Sequence, residues 1–202
     1  MMGAAASARR PPVVRRRRFG LAALALVLPL AACASAPLDT YDLNAARPPL
    51  ARQLGARVRV AEPLATLDLD SDRILVRTGP QQLAALAGAK WPDRLPLIVQ
   101  ARLTQSFENA GLGGQVTRNP AAAVAYELDL DIRKFDLDVD RSRVEIDVAA
   151  KLVSASGGVA AAEIFTADAP VGSTDPATVA AAMNEALSSV MKRIVAFVAT
   201  RL

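Results

Sequence analysis

The run ELDLDIRKFDLDVD, residues 127–140, sets six carboxylates close together: Glu127, Asp129, Asp131, Asp136, Asp138 and Asp140. Carboxylates so spaced can do two kinds of chemistry. They can hold a divalent cation, or they can divide general-acid and general-base roles when their surroundings push their pKa values apart. A calcium loop of the EF-hand kind also needs a glycine at its turn and a distal bidentate glutamate, and neither follows here. An acid–base pair needs a pocket that raises one pKa, and nothing in the run signals a pocket. A period of two puts these side chains on one face of a strand, so the expectation is a solvated face. A metal site and a carboxylate pair are the rival readings. The second would rest on Asp129 or Asp131.

Three other stretches invite a chemical reading. Ser189-Val190-Met191-Lys192 fits the serine-lysine pattern S-x-x-K, but the S-D-N and K-T-G partners of that pattern are missing. The expectation is an exposed helix position. Gly111-Leu112-Gly113-Gly114 is glycine-rich, yet it follows a helix, whereas a phosphate cradle precedes one. It reads as a helix C-cap and loop. Trp91, the one tryptophan, reads as a core plug, with a ligand contact as the alternative. The chain has no histidine, which removes Ser-His-Asp and Cys-His catalysis and His-ligated zinc or haem. No enzyme signal survives, and no cofactor or metal is expected.

The charge is unevenly placed. Six of the 24 Lys and Arg residues are arginines within residues 1–32, which hold no acid. The remainder carries 18 basic against 20 acidic residues, a net of −2. A nucleic-acid partner is therefore not expected, because phosphates need cations on the folded part itself. The basic stretch ends in Arg15–Arg18 and gives way to FGLAALALVLPL, residues 19–30, which has no charge. A basic region, a short apolar region and small residues before a cut site make a secretory signal, and the apolar run is too short to span a bilayer. Arg16-Arg17-Arg18-Phe19 also faintly resembles a twin-arginine export signal, but an arginine-rich leader is the simpler reading.

Leu30-Ala31-Ala32-Cys33 then holds the one cysteine of the chain. It resembles the lipobox of bacterial lipoproteins, which implies a diacylglyceryl thioether on Cys33, cleavage before it and an acyl chain such as palmitate on the new amine. Two or more chains hold a protein firmly to a membrane where one holds it marginally. An ordinary signal cleaved after Ala-x-Ala, with Cys33 incidental, is the alternative. Ala34, where an aspartate would imply inner-membrane retention, implies the outer membrane and a domain facing the periplasm. The expected organisation is a signal peptide over 1–32, a lipidated tether over 33–39 and one domain over 40–202.

Within that domain Tyr41-Asp42-Leu43 reads as a short strand, and so do Arg57–Val60 and Arg73–Thr78. Gln81–Ala89 is ambiguous. Leu95, Val99, Leu103 and Phe107 recur every four residues, which predicts a helix with Asp93 as its cap, Pro96 in its first turn and Gly111 as its stop. The acidic run changes phase once. Leu128, Leu130 and Ile132 sit on even positions, and Phe135, Leu137 and Val139 on odd ones. A β-bulge at Arg133-Lys134 would keep all six on one face. Turns at Asp140–Ser142 and Gly157-Gly158 then divide three strands. Ser173-Thr174-Asp175-Pro176 opens a second helix whose stripe is Val179, Met183, Leu187, Val190, Ile194 and Phe197. The fold class is α+β: a mainly antiparallel or mixed sheet with two long helices packed on it, or a three-layer αβα sandwich as the alternative. Long alternating strands with exposed edges also make a homo-oligomer a candidate assembly.

The run RILVRTGPQQLAALAGAKWPDRLPLIVQARLTQSFENAG, with Tyr41-Asp42-Leu43 before it and the Ala89-Lys90-Trp91 turn inside it, resembles the ABC-type transport auxiliary lipoproteins. The resemblance implies a non-enzymatic outer-membrane lipoprotein that accompanies a permease, an ATPase and an Mce-domain protein in lipid transport between two membranes. The other readings are a structural lipoprotein that scaffolds another outer-membrane complex and, more weakly, a carboxylate-based hydrolase. The anchor itself is testable. Cys33→Ala is expected to move the protein from the membrane to the soluble fraction on cell fractionation, and retention in the membrane would refute the lipid-anchor reading.

Overall fold

The computed structural model describes residues 37–202. Cys33 and the leader lie outside the described residues. Nine strands form one mixed sheet: β1 (Asp39–Thr40), β2 (Val58–Val60), β3 (Leu64–Ala65), β4 (Arg73–Gly79), β5 (Gln82–Lys90), β6 (Val116–Thr117), β7 (Tyr126–Asp138), β8 (Arg143–Ser154) and β9 (Val159–Pro170). Two helices, α1 (Leu95–Asn109) and α2 (Pro176–Arg201), complete an α+β fold.

Strand β7 is the spine. Antiparallel β8 pairs with one of its edges, and β9 pairs antiparallel with β8. Its other edge takes three parallel partners in succession: β2 at Tyr126–Leu128, β3 at Asp131–Ile132 and β4 at Asp136–Asp138. Beyond β4 the sheet continues through antiparallel β5 to β1, and beyond β2 to β6. The phase change in the sequence is a real bulge, because Ile132 faces Val148 and Lys134 faces Asp147, leaving Arg133 as the extra residue. Leu128, Leu130, Ile132, Phe135 and Leu137 are all buried on one face as a result. Val139 is the exception: it falls after the strand and is exposed.

Helix α2 starts where capping chemistry places it, with Asp175 accepting a hydrogen bond from Thr178 N and Pro176 in the first turn. Its six stripe residues are all buried, and it packs on β8 and β9. Arg193 reaches from it to donate to the Thr166 carbonyl of edge strand β9 at 2.8 Å and lies over the Phe165 ring. An edge carbonyl so occupied is closed to a further strand at that point. Helix α1 packs on α2 and β2. Its N-cap is Arg94, not Asp93, and no side chain caps it. The orphan N–H of Leu95 instead bonds the Ser71 carbonyl, brought by the preceding loop. Gly111 stops the helix at φ +83°.

Two expectations change in the early part of the chain. Tyr41–Leu43 is not a strand: the pairing ends at Thr40 and continues only through Tyr41 N to the Lys90 carbonyl. The ambiguous Gln81–Ala89 resolves as β5, bent at Gly88 (φ +75°). Residues 41–57 then run without regular structure as a strap across both helices. Side chains of the two helices and of Gln115, in the turn after α1, satisfy part of its backbone. Asn44 N donates to Asn184 Oδ1 at 2.7 Å, Ala46 N to Ser106 Oγ at 2.8 Å, and Leu54 N to Gln115 Oε1 at 2.9 Å. Gly55 N closes the strap on the Leu202 carbonyl, where a Cβ at residue 55 would sit 2.8 Å from that oxygen.

Two carboxylates are buried within the sheet, Asp136 and Asp138, and Asp136 is the deeper. Asp136 is 2% exposed and pairs with Arg77 of β4 at 2.8 Å. Its Oδ1 and the Arg77 Nε find no other partner among the described residues. Removing one member of such a pair strands the other charge. Arg77→Ala is expected to lower unfolding stability in urea by about 3 kcal/mol. The Arg77→Ala, Asp136→Ala double variant should lose less than the two single losses added together.

Candidate functional site

The acidic run does not form one solvated face. Glu127, Asp129 and Asp131 are half-buried, Asp136 and Asp138 are buried, and only Asp140, in the turn, is fully outside. The sequence shows their common face but not the arrival of β4, whose pairing with Asp136–Asp138 removes those carboxylates from water. Two neighbouring strands each bring a cation to the run. Arg59 of β2 sits opposite Glu127 and pairs with it, and Arg77 of β4 pairs with Asp136. Lys134 pairs with Glu145 of β8, Arg141 reaches the same carboxylate at 3.0 Å, and Arg143 pairs with Asp168 of β9. Asp131 meets Arg133, the bulge residue, at 3.2 Å. The result is a ladder of ion pairs across five strands, β2, β4, β7, β8 and β9.

Asp129 stands apart from this ladder. It lines a cavity of about 460 Å³ with Arg59, Tyr126, Glu127 and the β8–β9 turn around Ser154. Burial pushes its carboxyl above the usual range, and the Glu127 charge pushes the same way, while Lys151 and Arg59 oppose. Glu145 is held below the usual range, chiefly by its hydrogen bond from Lys134, with burial opposing. These shifts run against each other with pH. A raised carboxyl binds its proton more tightly in the folded state, so it destabilises the fold above its unfolded value. A depressed one stabilises the fold above its unfolded value, and that contribution is lost as pH falls through the folded pKa.

Among the described residues, no cluster of three or more His, Cys, Asp or Glu is arranged to hold a metal. Ser189 and Lys192 are both exposed on α2 with no hydrogen bond between them, so the S-x-x-K pattern is two surface positions. Gly111–Gly114 lies at the C-terminal end of α1, where Leu112 N bonds back to the Phe107 carbonyl. Trp91 is 1% exposed and meets Phe135 edge-on with ring centroids 6.2 Å apart. It fills core. No described helix is long and apolar enough to cross a membrane.

Sequence reasoning missed the strap of residues 41–57 as a surface-forming element. It has no periodicity to detect, because its partners are side chains distant in sequence. The Pro48-Pro49 pair, which fixes φ at both positions, was its one local signal.

Comparisons with known proteins agree with this architecture. The family described as the ABC-type transport auxiliary lipoprotein component matches residues 40–195, from the end of β1 to near the end of α2. The uncharacterized protein bll6063 of Bradyrhizobium diazoefficiens is 32% identical over 163 residues, which is 77% of this chain and 43% of that protein. The chain therefore spans less than half the length of that relative. The crystal structure of protein XCC0632 from Xanthomonas campestris superimposes with a TM-score of 0.72 at 28% identity, covering 82% of this chain and 96% of that one. A second solved protein, described as uncharacterized, shares the fold with a TM-score of 0.64 at 14% identity, over 80% of this chain and 98% of its own.

The Asp129 shift gives a prediction with a sign. Asp129→Asn removes a carboxylate that is unfavourable when charged, so thermal unfolding at neutral pH should move to higher temperature than in the natural protein. The gain should shrink as pH falls toward the ordinary carboxylate range, where the natural side chain is protonated in both states. A gain independent of pH would refute the assignment.

Proposed function

The chain belongs to the ABC-type transport auxiliary lipoprotein component family, and from that premise we propose that it serves lipid transport between two membranes as a non-enzymatic partner of the transporter. In this reading Cys33 anchors it in the outer membrane and the domain faces the periplasm. There it docks the Mce-domain protein that works with the permease and ATPase of the same system. The observation that carries the reading is the extent of the family match, which takes in the strap, both helices and almost the whole sheet.

Three features support it. The lipobox-like Leu30–Cys33 follows a basic, apolar leader, as export and lipidation require. Within the acidic run, Glu127 and Asp136 are engaged by cations of neighbouring strands and Asp131 by Arg133 of its own strand. Among the described residues the outer edge of β9 pairs with no strand, and with Val159 and Ile164 exposed it offers, away from Thr166, a surface for a protein neighbour or a second copy.

Affinity purification of the natively lipidated protein from gently solubilised membranes tests the proposal. Mass spectrometry is expected to find an Mce-domain protein together with a permease and an ATPase. Recovery with unrelated outer-membrane proteins only would favour a scaffold for another complex and overturn the transport role.

A further inference from the structure

Between the strap and the C-terminal half of α2 lies a groove of about 470 Å³. Leu50 forms one wall, and Val195, Ala196 and Ala199 line the helix side. Small side chains on the helix leave the floor open where larger ones would fill it. The strap holds its own wall in place: Pro48 and Pro49 fix the backbone before Leu50, and Ala51 N bonds the Ala110 carbonyl at 2.9 Å. Leu50 is nevertheless 83% exposed. A leucine held rigidly in water forgoes about 1.5–3 kcal/mol that burial would return.

The charges of the groove have one sign. Arg52 and Lys192 are its charged lining residues, and no acid lines it. Neither cation has an ion-pair partner among the described residues, whereas the cations of the sheet ladder do. An apolar trough with two unpaired cations suits an amphiphile with an anionic head. Its volume lies in the range of small-molecule sites, about 300–1,000 Å³. A stable protein partner would instead need roughly 800 Å² of matched surface on each side.

We propose that this groove takes one acyl chain of a phospholipid, with the phosphate held between Arg52 and Lys192. The proposal rests on the lipid-transport reading and gives it a site on this chain. Leu50 would close over the chain and bury the surface it now exposes.

Photocrosslinking in living cells tests it on the full, natively processed protein. A benzoylphenylalanine crosslinker is placed at Leu50 or at Thr200, both lining the groove, and at Lys151, exposed on the opposite face of β8, as the control. Cells are grown in radioactive phosphate, irradiated and the protein purified under denaturing conditions. Label is expected at Leu50 and Thr200 but not at Lys151. Ala196→Trp, which fills the floor, should abolish the label at Leu50. Arg52→Gln and Lys192→Gln should each reduce it by about fivefold. Melting temperatures of the variants confirm that they fold. Equal label at all three positions, label insensitive to Ala196→Trp, or a crosslinked protein in place of lipid would each overturn the proposal. Absence of label while the transport partners still co-purify would remove the groove and leave the transport role standing. Label without those partners would leave a lipid site outside a transport system.

Discussion

The extra residue at Arg133 fixes the phase of β7, and most of the molecule depends on that phase. A strand that alternates without interruption would bury Leu128, Leu130 and Ile132 on one face and turn Phe135 and Leu137 to the other. With the bulge, all five face the helices. Each such side chain contributes about 1.5–3 kcal/mol when buried, so a slip at this point would forfeit much of a marginal stability. Phe135 is also the residue against which Trp91 packs, and Trp91 joins the end of β5 to the start of α1. The bulge therefore sets where α1 can sit.

The same phase governs the opposite face. Because β2 and β4 pair in parallel with the two ends of β7, one on each side of the bulge, their Arg59 and Arg77 arrive beside Glu127 and Asp136. Charges so matched oppose any other register, since a shift by one residue would place the cations on the core face. The acids thus help to fix the pairing between strands. The surroundings of Asp129 disfavour its charge, and it lies where the ladder is open to a cavity.

How far this was legible in the sequence follows from which forces act locally. The bulge, the two hairpin turns and the start of α2 are written in neighbouring residues: a change of period, Gly157-Gly158, and Asp175 before Pro176. β5 was not legible because its alanines favour helix, and its extended form comes from pairing with β1 and β4. The two-residue strands β1, β3 and β6 exist only because distant strands offer them hydrogen bonds. The burial of Asp136 depends on β4, which lies about sixty residues away in the chain. Of the candidate residues, Trp91 and the S-x-x-K pair fell where their local setting predicted. Beyond Pro48-Pro49 the groove had no local signal, since its two walls are brought together by the strap's hydrogen bonds to residues distant in sequence.

That strap links the tether to the groove. An anchor at Cys33 would leave six residue steps before Asp39, a reach of at most roughly 20 Å at full extension. The domain would then work against a membrane surface, where lipid is present at very high local concentration. Under that confinement a site need not bind tightly to be filled. As the proposed lipid site, a shallow trough with one exposed leucine, an alanine floor and two cations would be weak by construction, and weakness would suit transfer. A carrier that buried a whole lipid would have to open before it could release its cargo. A groove that shields one chain and neutralises one phosphate can pass the lipid on without unfolding any part of the sheet behind it.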